Sequence, residues 1–271
     1  MNSGHCVDDS LKKMVAHHDW EAETYDAEYF KNLGLYHKIT LDNVKRFLPV
    51  NKDAPVLDAG GGTGIWSLEL ARLGYRVVLT DLSDGMLAKA RAKIAEARLE
   101  ERVDVRRGDI RGMPEFADGE FAMVVCQGDP LSYFRDHKAA VRELARVVCR
   151  GGTVVASVDN RASGLNWLRE SDPDVVERLI ANGEIVFPVD RKEFRYEIHA
   201  FTPEELKDVF ESNGLSVERI IGKTVIAHRL AARDSADPAV EEWLYQLELK
   251  YCDDPAYIPW AGHLEIVGRK R

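Results

Sequence analysis

The residues best suited to chemistry are a glycine turn and a set of carboxylates that end successive apolar runs. The turn is Asp58-Ala59-Gly60-Gly61-Gly62-Thr63-Gly64, placed between a short apolar run and a helical period. Glycines allow a tight turn and close approach of the backbone to a ligand, and the helix N-terminus that follows favours polar or anionic groups. The dinucleotide fingerprint GxGxxG, begun at Gly60, requires glycine where this chain has Ile65, which disfavours a nicotinamide or flavin cofactor. Asp81 ends the next apolar run, where a carboxylate can accept both hydroxyls of a ribose. Asp109, in Arg107-Gly108-Asp109-Ile110, follows the third run, and Cys126-Gln127-Gly128-Asp129 ends the fourth. Asp81 alone would suit any dinucleotide fold; the combination is more specific.

Taken together, these motifs resemble the class I S-adenosylmethionine-dependent methyltransferases, in particular the small-molecule branch similar to ubiquinone-biosynthesis methylases. The resemblance runs from about Trp20 to Gly214. It implies a Rossmann-like fold, S-adenosyl-L-methionine as cofactor and S-adenosyl-L-homocysteine as product. By the same resemblance, Asp58, Gly60, Gly62 and Gly64 hold the methionine part, and Asp81 binds the ribose hydroxyls. Leu82 flanks the adenine, Asp109 and Ile110 meet its edge, and Gln127 and Gly128 line the approach to the methionyl group. Tyr25-Asp26-x-x-Tyr29 resembles the family's preceding helix, whose tyrosines close over the cofactor. By residue type alone, Leu82 and Ile110 are equally core residues, and Tyr25 and Tyr29, four apart, could simply pack as one helix face.

Methyl transfer from a sulfonium is an in-line displacement, so the protein must mainly orient donor and acceptor and exclude water. An amine acceptor needs no strong base, whereas a phenol or activated carbon benefits from one. The candidates for that role are Asp129, Tyr133, His199 and His263. His199 precedes a helix start and reads either as a base or as a histidine hydrogen-bonded beside that helix. Trp260, His263, Tyr257 and Tyr196 are the expected walls of an acceptor site. His17 and His18 are adjacent and lack the i, i+4 spacing of a helical metal pair, and Cys6, Cys126, Cys149 and Cys252 form no CxxC pair, so no metal is expected. A non-catalytic S-adenosylmethionine sensor or partner subunit is the alternative reading, and a nicotinamide or nucleotide-sugar oxidoreductase conflicts with Ile65.

The elements that must hold these residues alternate βαβα from Pro55 to about Ser157, which implies a doubly wound parallel sheet with helices on both faces. Strands are expected at Val56–Ala59, Arg76–Thr80, Arg102–Arg107, Phe121–Cys126 and Thr153–Val158. Helices are expected at Ile65–Leu73, Asp84–Arg98 with Ser83 as N-cap, and Asp136–Val148, the last broken by Gly151-Gly152. Thr202-Pro203-Glu204-Glu205 predicts an N-cap, a first-turn proline and a capping-box glutamate, and Asn213-Gly214 closes that helix. Phe194–Ile198 reads as a further strand. Leu215–Ile221 and His263–Gly268 read as closing strands of a sheet of about seven strands, mostly parallel with an antiparallel closing strand. Residues 1–54, 160–200 and 228–262 lie outside the alternation and are expected to be a helical cover and two substrate covers on a single domain of residues 1–271. Val240, Trp243, Leu244, Leu247 and Tyr251 give the last segment a helix with one apolar face.

Composition bounds the partners. With 45% hydrophobic and 31% charged residues the chain reads as an ordinary soluble globular protein, without a secretory signal or an apolar run that would span a bilayer, so a cytoplasmic location and no membrane partner are expected. A net charge of −9 repels phosphate-rich partners. Arg102, Arg106, Arg107 and Arg111 form the nearest thing to a basic patch and read as a solvated edge. A small-molecule acceptor, not nucleic acid, is the expected partner; oligomeric state is left open.

Overall fold

The computed structural model describes residues 3–168, 173–187, 191–230 and 237–271. Seven strands form one sheet: β1 (Val56–Ala59), β2 (Val77–Asp81), β3 (Val103–Arg107), β4 (Phe121–Cys126), β5 (Val148–Asp159), β8 (Leu215–Lys223) and β9 (His263–Lys270), in the order β3-β2-β1-β4-β5-β9-β8. The pairs among β1 to β5 are parallel, and β9 runs antiparallel to both β5 and β8. β1 is buried throughout, as a central parallel strand covered on both faces must be. Leu57 and Ala59 pack on one side with Val124 and Cys126, while Val56 packs on the other with Val77, Leu79, Met123 and Val125. That alternation follows from the two-residue period of a strand.

Helices α3 (Ile65–Arg72), α4 (Asp84–Glu96), α5 (His137–Val147) and α8 (Pro203–Ser212) connect the strands. Ser83 caps α4 by accepting the Met86 amide, and Thr202 caps α8 by accepting the Glu205 amide. Glu205 does not complete the capping box: its carboxylate turns to His199 and Arg161. The chain reverses direction across the sheet between β1 and β4, the switch point where open α/β sheets leave a crevice at the carboxyl ends of their strands.

Two strand expectations are corrected. β5 starts at Val148 directly after α5, so Gly151 and Gly152 lie inside the strand and do not break a helix. Its pairing with β4 jumps from Phe121↔Val148 to Met123↔Thr153, and Gly151 takes φ +79° in the resulting bulge. Residues 194–198 are not one strand. A single 3₁₀ turn, Lys192–Phe194, precedes β7 (Glu197–His199), which pairs with β6 (Glu184–Val186) as a separate two-stranded ribbon.

The first 54 residues supply α1 (Ser3–Glu21) and α2 (Tyr25–Arg46), the latter kinked at Leu33. α1 is pinned to the start of α4, because Asp19 Oδ1 accepts the Ser83 hydroxyl at 2.5 Å and the Gly85 amide at 2.8 Å. The remaining segments carry α6 (Arg161–Gly164), α7 (Pro173–Asn182) and α9 (Pro238–Tyr251). The parts of the two expected substrate covers at residues 169–172, 188–190 and 231–236 lie outside the described residues. No helix among the described residues is long and apolar enough to cross a membrane.

Candidate functional site

A cleft opens at the switch point. Its floor is the glycine turn, folded back so that the Gly60 and Gly61 amides both donate to the Thr80 carbonyl, at 2.8 and 3.0 Å. Gly60 has φ +71°, and an added Cβ would lie 2.8 Å from Pro130; Gly62 has φ +52°, and its missing side chain would meet nothing within 4 Å. Gly62 therefore leaves backbone bare to the cleft, while Gly60 makes room for the loop after β4.

Asp81 faces this cleft from the end of β2. Its Oδ2 accepts the Gly62 amide at 2.9 Å and its Oδ1 accepts the Ser83 amide at 2.8 Å, so it braces the turn while each oxygen keeps a lone pair for a ligand. Burial pushes its pKa up, against the pull of those amide bonds. Asp58 does not line the cleft. It is wholly buried beneath the turn and accepts the Ser67 hydroxyl at 2.6 Å, and burial pushes its pKa up to about 7. Gly64 also lies off the cleft, packed so that a Cβ would sit 3.3 Å from Ala90 and Leu79.

Leu82, Ile110, Gln127, Gly128, Tyr25 and Tyr29 all line the cleft. The two tyrosines stack with ring centroids 6.1 Å apart, and an added Cβ on Gly128 would lie 3.7 Å from the Tyr25 hydroxyl. Asp109 departs from expectation: its carboxylate is gripped by Arg111, with Nη2–Oδ2 at 2.5 Å and Nε–Oδ1 at 3.0 Å, and only its neighbours Gly108 and Ile110 reach the cleft. The rest of the arginine cluster is likewise engaged, Arg106 with Asp104, Arg107 with Asp84 and Arg102 with the Gly74 carbonyl.

Met14, Val15 and His18 of α1 complete the wall, with Trp66 and Phe134. The sequence reading did not single them out for the site. Leu11, Met14, Val15 and His18 do carry a helical period, but periodicity does not say whether an apolar face meets a core or a ligand.

Of the four candidate bases, Tyr133 lines the cleft, edge-on to His18 at 5.2 Å. Burial holds its phenol well above the ordinary range, so it stays protonated and offers a hydrogen-bond donor to the cleft. His199 is elsewhere. Its Nε2 lies 2.8 Å from Glu205, and its ring lies on His137 with centroids 4.3 Å apart, because the β6–β7 ribbon turns it toward α8 and α5.

Asp129 contacts His263 at the edge of a second, wider cavity, which His263 lines together with Tyr36, Lys31, Asn32, Asn166 and Arg229. His263 Nδ1 stands 2.9 Å from Asp129 Oδ2 and 3.6 Å from Asp159 Oδ1; the first contact is close enough for charge pairing without being aligned as a hydrogen bond. Asp129 sits at φ +64°, in the left-handed region that few residues besides glycine, asparagine and aspartate adopt. Burial alone would raise its pKa, but His263 and Lys223 bring it below the usual carboxylate value. Burial, with the Asp129 charge, pushes Asp159 up to about 7. For His263, burial works downward and the Asp129 charge prevails, leaving the imidazole raised. Lys223 is fully buried behind them, bonded to Gln127 at 3.0 Å and Glu265 at 3.2 Å, and lies over the Tyr36 ring. Burial lowers its pKa against the pull of Glu265. The two cavities come close at Ser157, whose hydroxyl accepts the amides of Gly128 and Asp129 on one side and the Tyr36 hydroxyl on the other, each at 3.1 Å.

Three expected acceptor walls are not walls of either cavity. Tyr196 is buried behind Tyr133 and stacked on Phe187, with its hydroxyl 3.3 Å from His17 Nδ1. Tyr257 packs on Tyr251, and Trp260 is 55% exposed beneath Arg229. A 3₁₀ turn at Ile258–Trp260 buries Ile258 and throws Trp260 outward, and Asn160 locks it by donating to the carbonyls of Pro259 and Ala261.

Comparison with known proteins bears on this site. The family model described as a methyltransferase domain matches residues 56–152, the stretch that contains the glycine turn, Asp81 and the end of β4. A ubiquinone biosynthesis O-methyltransferase of Xanthomonas oryzae pv. oryzae is 30% identical over 153 residues, 56% of this chain, which spans 62% of that protein's length. Among solved structures, an S-adenosylmethionine-dependent methyltransferase of Mesorhizobium loti superposes with a TM-score of 0.58 at 18% identity, covering 84% of this chain and 96% of that one. The geranyl diphosphate C-methyltransferase of Streptomyces coelicolor, determined with S-adenosyl-L-homocysteine, superposes with a TM-score of 0.60 at 16% identity, over 92% of this chain and 84% of that one. At such identities the superpositions show a shared fold.

Proposed function

We propose that this chain, whose residues 56–152 belong to the class I S-adenosylmethionine-dependent methyltransferases, methylates a weakly acidic hydroxyl of a small molecule held in the second cavity. The observation that carries the proposal is the contact of His263 with Asp129, which directly follows the cleft-lining Gln127 and Gly128. A base positioned there suits an acceptor that must lose a proton as it is methylated. That the Xanthomonas relative is an O-methyltransferase agrees with this reading.

The first cleft fits the cofactor by the chemistry of its residues. Asp81 would take the ribose hydroxyls with the lone pairs left by Gly62 and Ser83, Leu82 and Ile110 would face the adenine, and the bare backbone of Gly62 would admit the methionyl chain. Tyr25, Tyr29, Gln127 and Gly128 would close around the sulfonium end. When bound, S-adenosylmethionine supplies an electrophilic methyl group. The chain's own part is then orientation, worth roughly 7 to 11 kcal/mol in favourable cases, exclusion of water by α1 and α2, and removal of the acceptor proton by His263. Asp129 holds the imidazole and stabilises its protonated form.

Incubating the full chain with S-adenosylmethionine and panels of phenols, enols, amines and carbon acids tests this. S-adenosylhomocysteine should accumulate with hydroxyl acceptors, and His263→Asn should reduce turnover by roughly 10²- to 10⁴-fold without altering cofactor affinity. A chain that binds cofactor yet forms no product with any acceptor would be a sensor or partner subunit instead.

A further inference from the structure

The cluster His137, His199 and Glu205 lies outside both cavities and takes no part in the reaction above. Three elements that are distant in sequence bring it together: the first residue of α5, the last of β7 and the first turn of α8. One donor atom from each residue lies within 4.8 Å of the other two. His137 is only 7% exposed, and neither of its ring nitrogens has a hydrogen-bond partner among the described residues. Buried polar atoms in folded proteins nearly always have one, so an orphan pair in one ring asks for an explanation.

His199 already directs Nε2 at Glu205 Oε1, at 2.8 Å, and the other carboxylate oxygen of Glu205 is held by Arg161, which also donates to the Ala200 carbonyl. That support orients the carboxylate from behind, as outer-sphere partners do in metal sites. Side-chain exposure rises from 12% at His199 to 30% at Glu205, which gives an ion a way in. Two imidazoles and one carboxylate are a zinc donor set, and a tetrahedral ion holds its donors about 3.4 Å apart, within reach of modest rotations of the two rings.

We propose that His137, His199 and Glu205 bind one divalent zinc ion, which clips α5 and the β6–β7 ribbon to the start of α8. Three protein ligands leave the fourth position of the ion to water, and the ion would tie these elements together outside both cavities. A metal was not expected from the sequence because the ligands carry no local spacing signature; tertiary contact alone brings them together.

The test uses the full chain, stripped with chelator, desalted and titrated with zinc chloride, with metal content, calorimetry and melting temperature as readouts, and with cobalt(II) absorption to report the donor geometry. One equivalent should bind and raise the melting temperature by roughly 5 °C. His137→Ala and His199→Ala, each checked for folding by circular dichroism, should abolish both effects. His17→Ala and His263→Ala, which alter the two other His-carboxylate groups, should retain them. The proposal is overturned by wild-type chain that takes up no zinc, by stoichiometric zinc in the folded His137 and His199 variants, or by loss of the equivalent in His17→Ala or His263→Ala.

Discussion

Asp129 Oδ2 lies 2.9 Å from Nδ1 of His263, joining the loop after β4 to the first residue of β9. Because β9 runs antiparallel between β5 and β8, its first residue and not its last stands at the carboxyl edge of the sheet. There it is the register partner of both Asp159 and Lys223. One carboxylate is thereby kept ionised beside an imidazole whose pKa is raised.

That pairing sets a pH dependence. The base must be neutral to accept a proton, and His263 has a folded-state pKa above its ordinary value of 6.5, so kcat/KM should rise with pH along a limb centred above 6.5. Asp129→Asn removes the charge that raises it and should move that limb to lower pH while lowering turnover. A pH–rate profile of both proteins checks the direction; an unmoved limb assigns the proton to another group.

Asp81→Ala should weaken S-adenosylmethionine binding by about 1.5 to 3 kcal/mol, the usual worth of hydrogen bonds to a charged group. Since Asp81 also braces the Gly62 and Ser83 amides, the apo protein should melt a few degrees lower. Calorimetric titration and melting curves separate the two effects, and wild-type affinity in the folded variant would remove Asp81 from the site.

The glycines should divide by mechanism. At Gly60 a side chain collides with Pro130 in a left-handed backbone, so Gly60→Val should destabilise the protein even without ligand. At Gly62 the added atom enters open space. Gly62→Ala should keep most of the apo stability, at a left-handed cost of about 1 to 2 kcal/mol, and lose most of the cofactor-induced rise in melting temperature. Equal cofactor shifts in Gly62→Ala and wild type would contradict the contact.

Asp58 supplies a linkage test in the apo protein. Its folded pKa, pushed by burial to about 7 against an ordinary value of 3.8, means that around neutral pH the folded state holds a proton the unfolded chain has released. This contribution is fully present below about pH 4 and is lost as pH rises toward 7. Asp58→Asn removes the loss, so relative to wild type it should gain stability between pH 4 and 8, by up to about 4 kcal/mol. Denaturant titrations at the two pH values measure the gain, and a difference that does not grow with pH would place an ionised Asp58 in the fold.

Trp260→Ala should leave methyl transfer and acceptor KM within about twofold of wild type, as surface changes away from a site usually do. The ring is turned to solvent under Arg229 and lines neither cavity. Steady-state kinetics on the identified acceptor would reveal any larger effect and return this loop to the site.

By itself, the sequence determined what is local. The apolar runs, the glycines that alone tolerate the turn after β1, the caps at Ser83 and Thr202, and the carboxylate ending β2 are each specified within a few residues, because backbone sterics and strand or helix period act at that range. Tertiary structure decided everything that depends on which distant segments meet. It turned Asp109 to Arg111, carried His199 away to His137 and Glu205, faced Trp260 outward, and laid α1 over the cleft. It also inserted β9 beside β5, which sets His263 against Asp129 and buries Lys223 behind them. A residue's type fixes which protons and lone pairs it offers; the neighbours that desolvate it and face it with charge come from strand order and helix docking, which no local spacing encodes.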